Sequence, residues 1–542
     1  MISRHLAGNW KFDAAALGIF AVAAACLLAT APINGDFSWS DAPRHALNGA
    51  FLKDFLAAMP VTDPVQWAMN YYLQYPALTI LFYPPLFYGF EAMSYALFGF
   101  SHFSAQFTVT IFDFLLAWGG YLIARSWLPR GEAVASGLLL VAAPEIAFWG
   151  RQVMLDIPAI AGVAFSTHFF IRYLKTERLL QLFFALAFML GAIYTKYDVV
   201  FIAPVFGLTL IVEKGWRILL NKGVLLSTGG FVLAMVPALA LTLRFGAVNV
   251  QSVGGRVGDT PIGSLEAWLY YPSHLPQMLG WPAFVLAGIG LAVVLLARPP
   301  ELERGVARLM LYWLLAGYLF FSAIGVREPR HFLPVLVPLV FLASAAIHRL
   351  APAARSAPLA CALALGTFVY SLFLYPPPAV AGYKEVADYV ADHAAQNTIV
   401  LFSGYRDGNF VFNIRAREDR RDLFVVRADK LLLRISVERE RGVGQVGLSE
   451  EQIATLLRDL GVGLIVVQPG FFEDLREMQR FAAVLKRPDF ERVATFPITA
   501  PGTHEDREIQ IFRPTYAVVP HRQKLELEIP LFGGSMRGEI GH

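Results

Sequence analysis

Apolar runs long enough to cross a bilayer recur from residue 13 to residue 375, and a chain with that pattern has few folds open to it. In hydrocarbon every backbone N–H and C=O must find its partner within the chain, so such runs become helices packed on helices. Composition agrees. The 542 residues are 56% hydrophobic and 16% charged, with a mean hydropathy of +0.51, where soluble domains carry about 25% charged residues. The formal charge of +3 is small and no Lys/Arg-rich run occurs, which excludes nucleic acid as a partner. Cys26 and Cys361 both fall in apolar runs and read as small hydrophobes, not as a disulfide or a metal site.

The first span is expected at 13–33, although Ala29-Thr30-Ala31 also fits a signal-peptidase site. Further spans are expected at roughly 104–124, 133–150, 156–171, 179–195, 198–212, 223–244, 277–297, 308–325, 332–347 and 357–375. With these, alternate loops hold the basic residues: Arg125 and Arg130; Arg172, Lys175 and Arg178; Lys214, Arg217 and Lys222; Arg298, Arg304 and Arg308; Arg349 and Arg355. All lie on the side of the N-terminus, with its Arg4, His5 and Lys11, and the positive-inside rule makes that side cytoplasmic. Counting 84–100 as a span would reverse every later loop. It follows two prolines and is short, so it is expected to be interfacial or re-entrant. His45 to Leu56 has helical apolar spacing and suits a helix in the interface. The fold class expected is a polytopic α-helical membrane protein of about eleven spans.

At Pro376-Pro377-Pro378 the composition changes. Tyr383–Ala394 and Ser449–Leu460 read as helices, and Thr398–Phe402 and Gly463–Val467 as strands, so a soluble α/β domain is expected over 380–515. Residues 1–376 form the membrane domain in this reading, with 34–100 as its first outer loop, and 516–542 form a polar tail.

Five polar groups then share the outer face: Asp41, Arg44 and His45; Arg151 and Asp156; Lys196 and Asp198; Arg244 and Arg256; Arg327, Arg330 and His331. Ionisable residues at membrane borders are costly and mark functional sites by default. Plainer readings stand beside this one. Asp41 and Asp156 could each cap a helix, Arg151 could pair with Asp156, Lys196 could snorkel, and Arg327 to His331 could be a solvated loop. The chemistry that suits the set is transfer from a lipid phosphate. Cations would hold the phosphate, and a carboxylate would take the acceptor proton.

These residues resemble the motifs of the protein O-mannosyltransferase and aminoarabinose-transferase superfamily, which has the GT-C fold, and the chain is also similar to rhizobial lipopolysaccharide galacturonosyltransferases. The resemblance spans about residues 10–350. An Asp-Glu-x-Arg-Tyr motif is matched by Asp41-Ala42-Pro43-Arg44-His45, and Lys-Pro-Pro-Leu by Tyr83-Pro84-Pro85-Leu86. Arg…Leu-Asp-x-Pro is matched by Arg151…Leu155-Asp156-Ile157-Pro158, and Thr-Lys-Gly by Thr195-Lys196-Tyr197. A basic–Arg-Tyr-x-Leu-Pro segment is matched by Arg327…Arg330-His331-Phe332-Leu333-Pro334. Ala42 stands where the family has an acid, Tyr83 where it has a lysine, and His45 and His331 where it has tyrosines.

The resemblance implies a glycosyltransferase of the bacterial inner membrane with a periplasmic active site. It would move a sugar from a polyprenyl-phosphate donor to a glycolipid such as lipid A, a polysaccharide or a protein. Asp41 would be the catalytic carboxylate and Asp156 a second acid. Arg44, Tyr83, Lys196, Arg327, Arg330 and His331 would surround the donor phosphate. A divalent metal is used by some members and not by others. The rivals are an inactive relative, a membrane-anchored binding protein and a transporter; no two related halves of the kind transporters show are visible in the sequence.

Overall fold

The computed structural model describes residues 10–80, 82–253, 260–296, 301–435, 439, 443–501, 508–518, 523–529 and 534–540. Arg4, His5, Arg256 and Arg298 lie outside the described residues. Helices follow in chain order as α1 (Trp10–Ala29), α2 (Ala42–Ala58), α3 (Pro64–Gln74), α4 (Leu86–Phe98) and α5 (His102–Ala124). Next come α6 (Arg130–Ala142), α7 (Pro144–Gly150), α8 (Asp156–Thr176), α9 (Leu179–Ile193), α10 (Ile202–Lys214) and α11 (Lys222–Val253). The apolar series closes with α12 (Leu265–Leu279), α13 (Trp281–Leu296), α14 (Glu301–Ser322), α15 (Leu333–Leu350) and α16 (Ala353–Phe373). The chain divides into two compact units, the first of 1–31, 83–87 and 106–377, the second of 32–82, 88–105 and 378–542.

In the first unit all eleven expected segments contain helix, and among the described residues seven helices are long and apolar enough to cross a membrane, or eight if a bent pair counts as one span. The segment expected at 133–150 is broken: α6 and α7 meet at 64°. Pro144 is the cause, because a residue before proline is driven out of the helical region, and Ala143 sits at φ −53°, ψ 128°. Helices α9 and α13, with 15 and 16 residues, reach about 22–24 Å, less than the ~30 Å of hydrocarbon. Helix α15 is the centre of this unit, with every side chain from Leu333 to Ile347 buried. Gly290 of α13 lies against it so closely that a Cβ there would stand 1.9 Å from the Leu342 carbonyl oxygen. Small residues permit such approach where lipid supplies no hydrophobic drive between helices.

The second unit is built on a five-stranded sheet. Its strands are β1 (Ile399–Ser403), β2 (Phe424–Arg427), β5 (Val462–Val467), β6 (Phe490–Pro497) and β7 (Glu508–Pro514), after the short pair β3 (Leu433–Ile435) and β4 (Val443–Gln445). The order is β2-β1-β5-β7-β6. β1 runs parallel to β2 and β5, with Leu401 opposite Val426 and Ile465, and β7 is antiparallel to β5 and β6. Helices α17 (Tyr383–His393), α18 (Asp407–Ala416), α19 (Ala428–Leu431), α20 (Glu450–Asp459) and α21 (Arg476–Val484) complete it. Ser449 and Gln452 close a capping box on α20.

Three features differ from the sequence reading. Residues 34–100 group largely with the α/β domain, not with the membrane helices. Asn409 of α18 donates to the Phe37 carbonyl at 3.0 Å and accepts from the Phe37 N–H, while Asp36 accepts from the Tyr383 N–H at 3.0 Å. Helix α2, expected to lie in the interface, is buried from Ala42 to Phe51 except at Arg44, because α18 packs on it. The stretch read as a polar tail contains a hairpin of β8 (Gln523–Ile529) and β9 (Gly534–Ile540), with β9 against α3. Helix α4 has 13 residues, short of a span, as expected for 84–100.

Arg415 joins these parts of the second unit. Its guanidinium, without solvent contact, donates to Asp54 at 2.7 Å, to the Tyr71 hydroxyl at 3.2 Å and to Glu418 at 2.9 Å. Burial would push the Asp54 carboxyl up, but Arg415 and Arg421 outweigh it and hold it below the usual carboxylate range. Arg415→Ala is expected to cost about 3–5 kcal/mol, since it strips a buried carboxylate of its main partner. Thermal unfolding of the full chain in detergent checks this. A loss under about 1 kcal/mol would mean that the more exposed Arg421 suffices.

Candidate active site

In the first unit, the break after α6 sets up the site. Helix α7 is seven residues long and ends at Gly150, and the turn Arg151–Leu155 then delivers Asp156 as the first residue of α8. Leu155, not Asp156, holds the N-cap position, and the Asp156 carboxylate accepts from Lys196 through Oδ1, which removes the capping reading. Its place in the first turn still suits a negative charge, through the helix dipole. Arg151 does not pair with it either. The buried Arg151 guanidinium donates to the carbonyls of Ala147 (2.9 Å), Leu372 (3.2 Å), Ser371 (2.8 Å) and Tyr375 (2.7 Å). It therefore closes the C-terminal end of α16, where helix carbonyls lack partners.

Asp156 pairs with Lys196. The ammonium stands 2.7 Å from Asp156 Oδ1 and 2.7 Å from Asp198 Oδ2, with the lysine side chain only 12% exposed. Snorkelling is thus not its role. Lys196 follows α9, its N–H bonded to the Ala192 carbonyl, and precedes the 3-10 turn Tyr197–Phe201 that carries Asp198. Burial would lower its pKa, but Asp156 and Asp198 raise it above the ordinary lysine value, so it stays charged. Asp156 Oδ2 is buried and has no hydrogen-bond partner among the described residues.

The turn Pro329–Phe332 adds the next groups. Arg330 Nε lies 2.6 Å from Glu328 Oε2, and its guanidinium is 5.7 Å from the Trp149 ring centre. Arg330 lies within electrostatic range of Asp156 and Lys196, and His331 and Tyr83 lie near the same pair as polar, not cationic, neighbours. Arg327 donates to the Thr260 carbonyl at 3.1 Å and more weakly to those of Gly325 and Ser322. Carbonyls fix this guanidinium without cancelling its charge.

Sequence reasoning missed Glu145 and Trp149. Glu145 accepts from Trp149 Nε1 at 2.8 Å and from the Tyr375 hydroxyl at 3.0 Å, and it lies within electrostatic range of Asp156. The signal was present: a carboxylate in an apolar run, directly after a proline.

The first-loop residues belong to the second unit. Asp41 occupies the N-cap position of α2 but its side chain makes no cap bond. Arg44, expected at a phosphate, is held by Asp407 at 2.8 and 3.1 Å, and Asp407 also accepts from Arg427 at 2.7 Å. His45 Nδ1 is 3.0 Å from the Tyr88 hydroxyl. Arg244, at the apolar end of α11, is exposed.

A resident metal does not fit the described residues. No three His, Cys, Asp or Glu side chains gather as ligands among them. Asp156 and Asp198 already share the Lys196 ammonium.

Residues 83–240 match the family described as dolichyl-phosphate-mannose-protein mannosyltransferase. No curated protein matches the chain by sequence. Among solved structures, ArnT from Cupriavidus metallidurans bound to undecaprenyl phosphate superposes with a TM-score of 0.65 at 16% identity, over 95% of this chain and 99% of that one. The Archaeoglobus fulgidus oligosaccharyltransferase in its apo form gives 0.56 at 12% identity, over 87% of this chain and 71% of that one. The same organism's AglB, in complex with an inhibitory peptide and a dolichol-phosphate, gives 0.52 at 12%, over 86% and 71%.

Arg151→Lys should destabilise the first unit by about 2–4 kcal/mol, because an ammonium reaches fewer of the four carbonyls. Asp156→Asn should shift the melting temperature far less, since Asp198 still pairs Lys196. Differential scanning fluorimetry in detergent separates the two. Equal shifts would mean that Asp156 is as structural as Arg151.

Proposed function

We propose, from the GT-C fold that this chain has, that it is a membrane glycosyltransferase using a polyprenyl-phosphate-linked sugar. The single observation that carries the reading is Arg330 set against the buried Lys196–Asp156–Asp198 cluster, with Arg327 held by carbonyls just before the same turn. Fixed cations beside a membrane span suit a phosphate whose hydrocarbon tail stays in the bilayer. The family match over 83–240, which includes Tyr83, Asp156 and Lys196, supports the same reading.

In the reaction, a carboxylate takes the proton of the acceptor hydroxyl, and the freed oxygen attacks the anomeric carbon from the face opposite the phosphate. The bond from that carbon to the phosphate oxygen breaks, and polyprenyl phosphate leaves with the electron pair. The sugar is inverted. Arg327 and Arg330 stabilise the charge that grows on the leaving phosphate, while Lys196, neutralised by Asp156 and Asp198, holds the two carboxylates in place. Asp41 is the base in this reading. Asp156 orients Lys196 through Oδ1 and keeps Oδ2 for a hydroxyl of the sugar or acceptor. Tyr83 and His331 line the phosphate side. Arg44, engaged by Asp407, positions the start of α2 and leaves the phosphate to the others. The alternation of basic loops supports an N-terminus in the cytoplasm of a bacterial inner membrane and an outward-facing site. The acceptor would be a glycolipid, a polysaccharide or a protein.

Two measurements test this. Undecaprenyl phosphate should bind the purified full chain, and Arg327→Gln should weaken binding by roughly tenfold or more, the value of one charge-assisted contact. Unchanged binding would remove Arg327 from the site. Mass spectrometry of glycolipids, lipopolysaccharide and glycoproteins should show one species short of a single sugar when the gene is deleted. Neither Asp41→Asn nor Asp156→Asn should restore it. Full restoration by Asp41→Asn would dismiss Asp41 as the base.

A further inference from the structure

The turn between α2 and α3 is one of two exposed apolar features of the second unit, the other being the side of α4 that carries Met93, Leu97 and Phe98. From Phe55 to Thr62 the chain reads Phe-Leu-Ala-Ala-Met-Pro-Val-Thr without a charge. Leu56 is 55% exposed, Met59 63%, Val61 80% and Val65 64%. By contrast, within the described residues of 378–540 Val446 is the one large apolar side chain exposed to a comparable degree. The α/β part of this unit therefore hides its apolar groups as a water-facing domain does, while this turn displays them. Scattered exposed hydrophobics are ordinary, but four within ten residues on one turn are a patch that needs a partner.

The turn is stiff. Met59 takes a left-handed conformation (φ 44°), its N–H bonded to the Phe55 carbonyl at 3.0 Å, and the Val61 N–H returns to the Met59 carbonyl at 2.7 Å. Pro60 and Pro64 restrict the backbone further. Asp63, the one charge in the turn, accepts from the Gln66 N–H as the N-cap of α3. Behind the turn the rings of Phe51, Phe55, Trp67 and Tyr71 interleave at 5.2–5.9 Å between centres. Tyr71 is in turn bonded to Asp54, the carboxylate that Arg415 holds. An apolar tip on an aromatic base, its turn already closed by two backbone hydrogen bonds, is built to enter an apolar medium without rearranging.

The chain itself names that medium. The segment 32–82 starts just after α1, a candidate span that ends at Ala29, and the first unit resumes at Tyr83. Its start is thus tethered to a candidate span, and the chain reaches the next one, α5, at His102, which keeps a bilayer at high effective concentration around it. We infer that the α2–α3 turn is a lipid-inserting wedge, with Leu56, Met59, Val61 and Val65 among the acyl chains and Trp67 at headgroup level. This does not depend on the transferase reading.

The test uses the full chain carrying Cys26→Ala and Cys361→Ala, with Val61→Cys labelled by a bimane fluorophore. It is reconstituted in phosphatidylethanolamine and phosphatidylglycerol vesicles with and without doxyl groups on the acyl chains. A label at Val446→Cys is the water-facing control. The wedge requires doxyl quenching at position 61 roughly twofold or more above that at 446. Equal quenching at the two positions overturns it. So does a label at 61 shielded from aqueous quencher only at high protein density, which would mean that a second copy covers the turn. If Val61→Cys fails to fold, Met59→Cys and Val65→Cys give the same reading, and catalytic activity does not enter the result.

Discussion

A charge taken out of water must bring its partners with it, and this constraint decides where both units keep their ionisable groups. Lys196 is buried between two carboxylates, Arg151 among four carbonyls, and Arg415 between Asp54, Tyr71 and Glu418. Each solution has its own consequence. A lysine between carboxylates is locally neutralised, yet its two partners fix its position. An arginine among carbonyls keeps its full charge. Arg151 and Arg327 share this second arrangement, but Arg151 spends it on a helix end, while Arg327 sits just before the turn that carries Arg330.

The backbone break at Ala143 is the other determinant of the site. One proline converts a single apolar run into two helices at 64°. The short second helix then aims Glu145 and Trp149 at the cluster, and the turn after it ends in Asp156. Gly150 permits that turn: a Cβ there would stand 2.4 Å from Asp113 Oδ1. The site is thus held by elements with little freedom, as a reaction that depends on placement requires.

Much of the fold was legible in the sequence because it rests on local rules. Hydropathy located the apolar segments, since the cost of exposing a backbone amide to hydrocarbon acts on every residue of a run. In the α/β domain the helix expected at Tyr383–Ala394 is Tyr383–His393, and the strand expected at Thr398–Phe402 is Ile399–Ser403. The helix expected at Ser449–Leu460 is Glu450–Asp459 with Ser449 as its cap. Length was less legible: α9 and α13 are helices, but shorter than a straight span, because helix ends answer to neighbours and caps as much as to hydropathy. The residues of the candidate site were found by type and motif, whereas their partners were not. Arg44 meets Asp407 across 363 positions, and Arg151 meets the end of α16 across 220 or more.

The sequence by itself determined that this chain is helical in a membrane, that a charged α/β domain follows the last apolar run, and that cations and carboxylates recur at the ends of apolar segments. Those properties follow from solvation and from periods of a few residues. Only the tertiary structure decided that Lys196 is clamped and not snorkelling, that Arg151 is a helix closure and not the mate of Asp156, and that the first loop folds with the α/β domain. Each of these is a choice among partners of nearly equal chemistry, and geometry selects among them once the chain is packed.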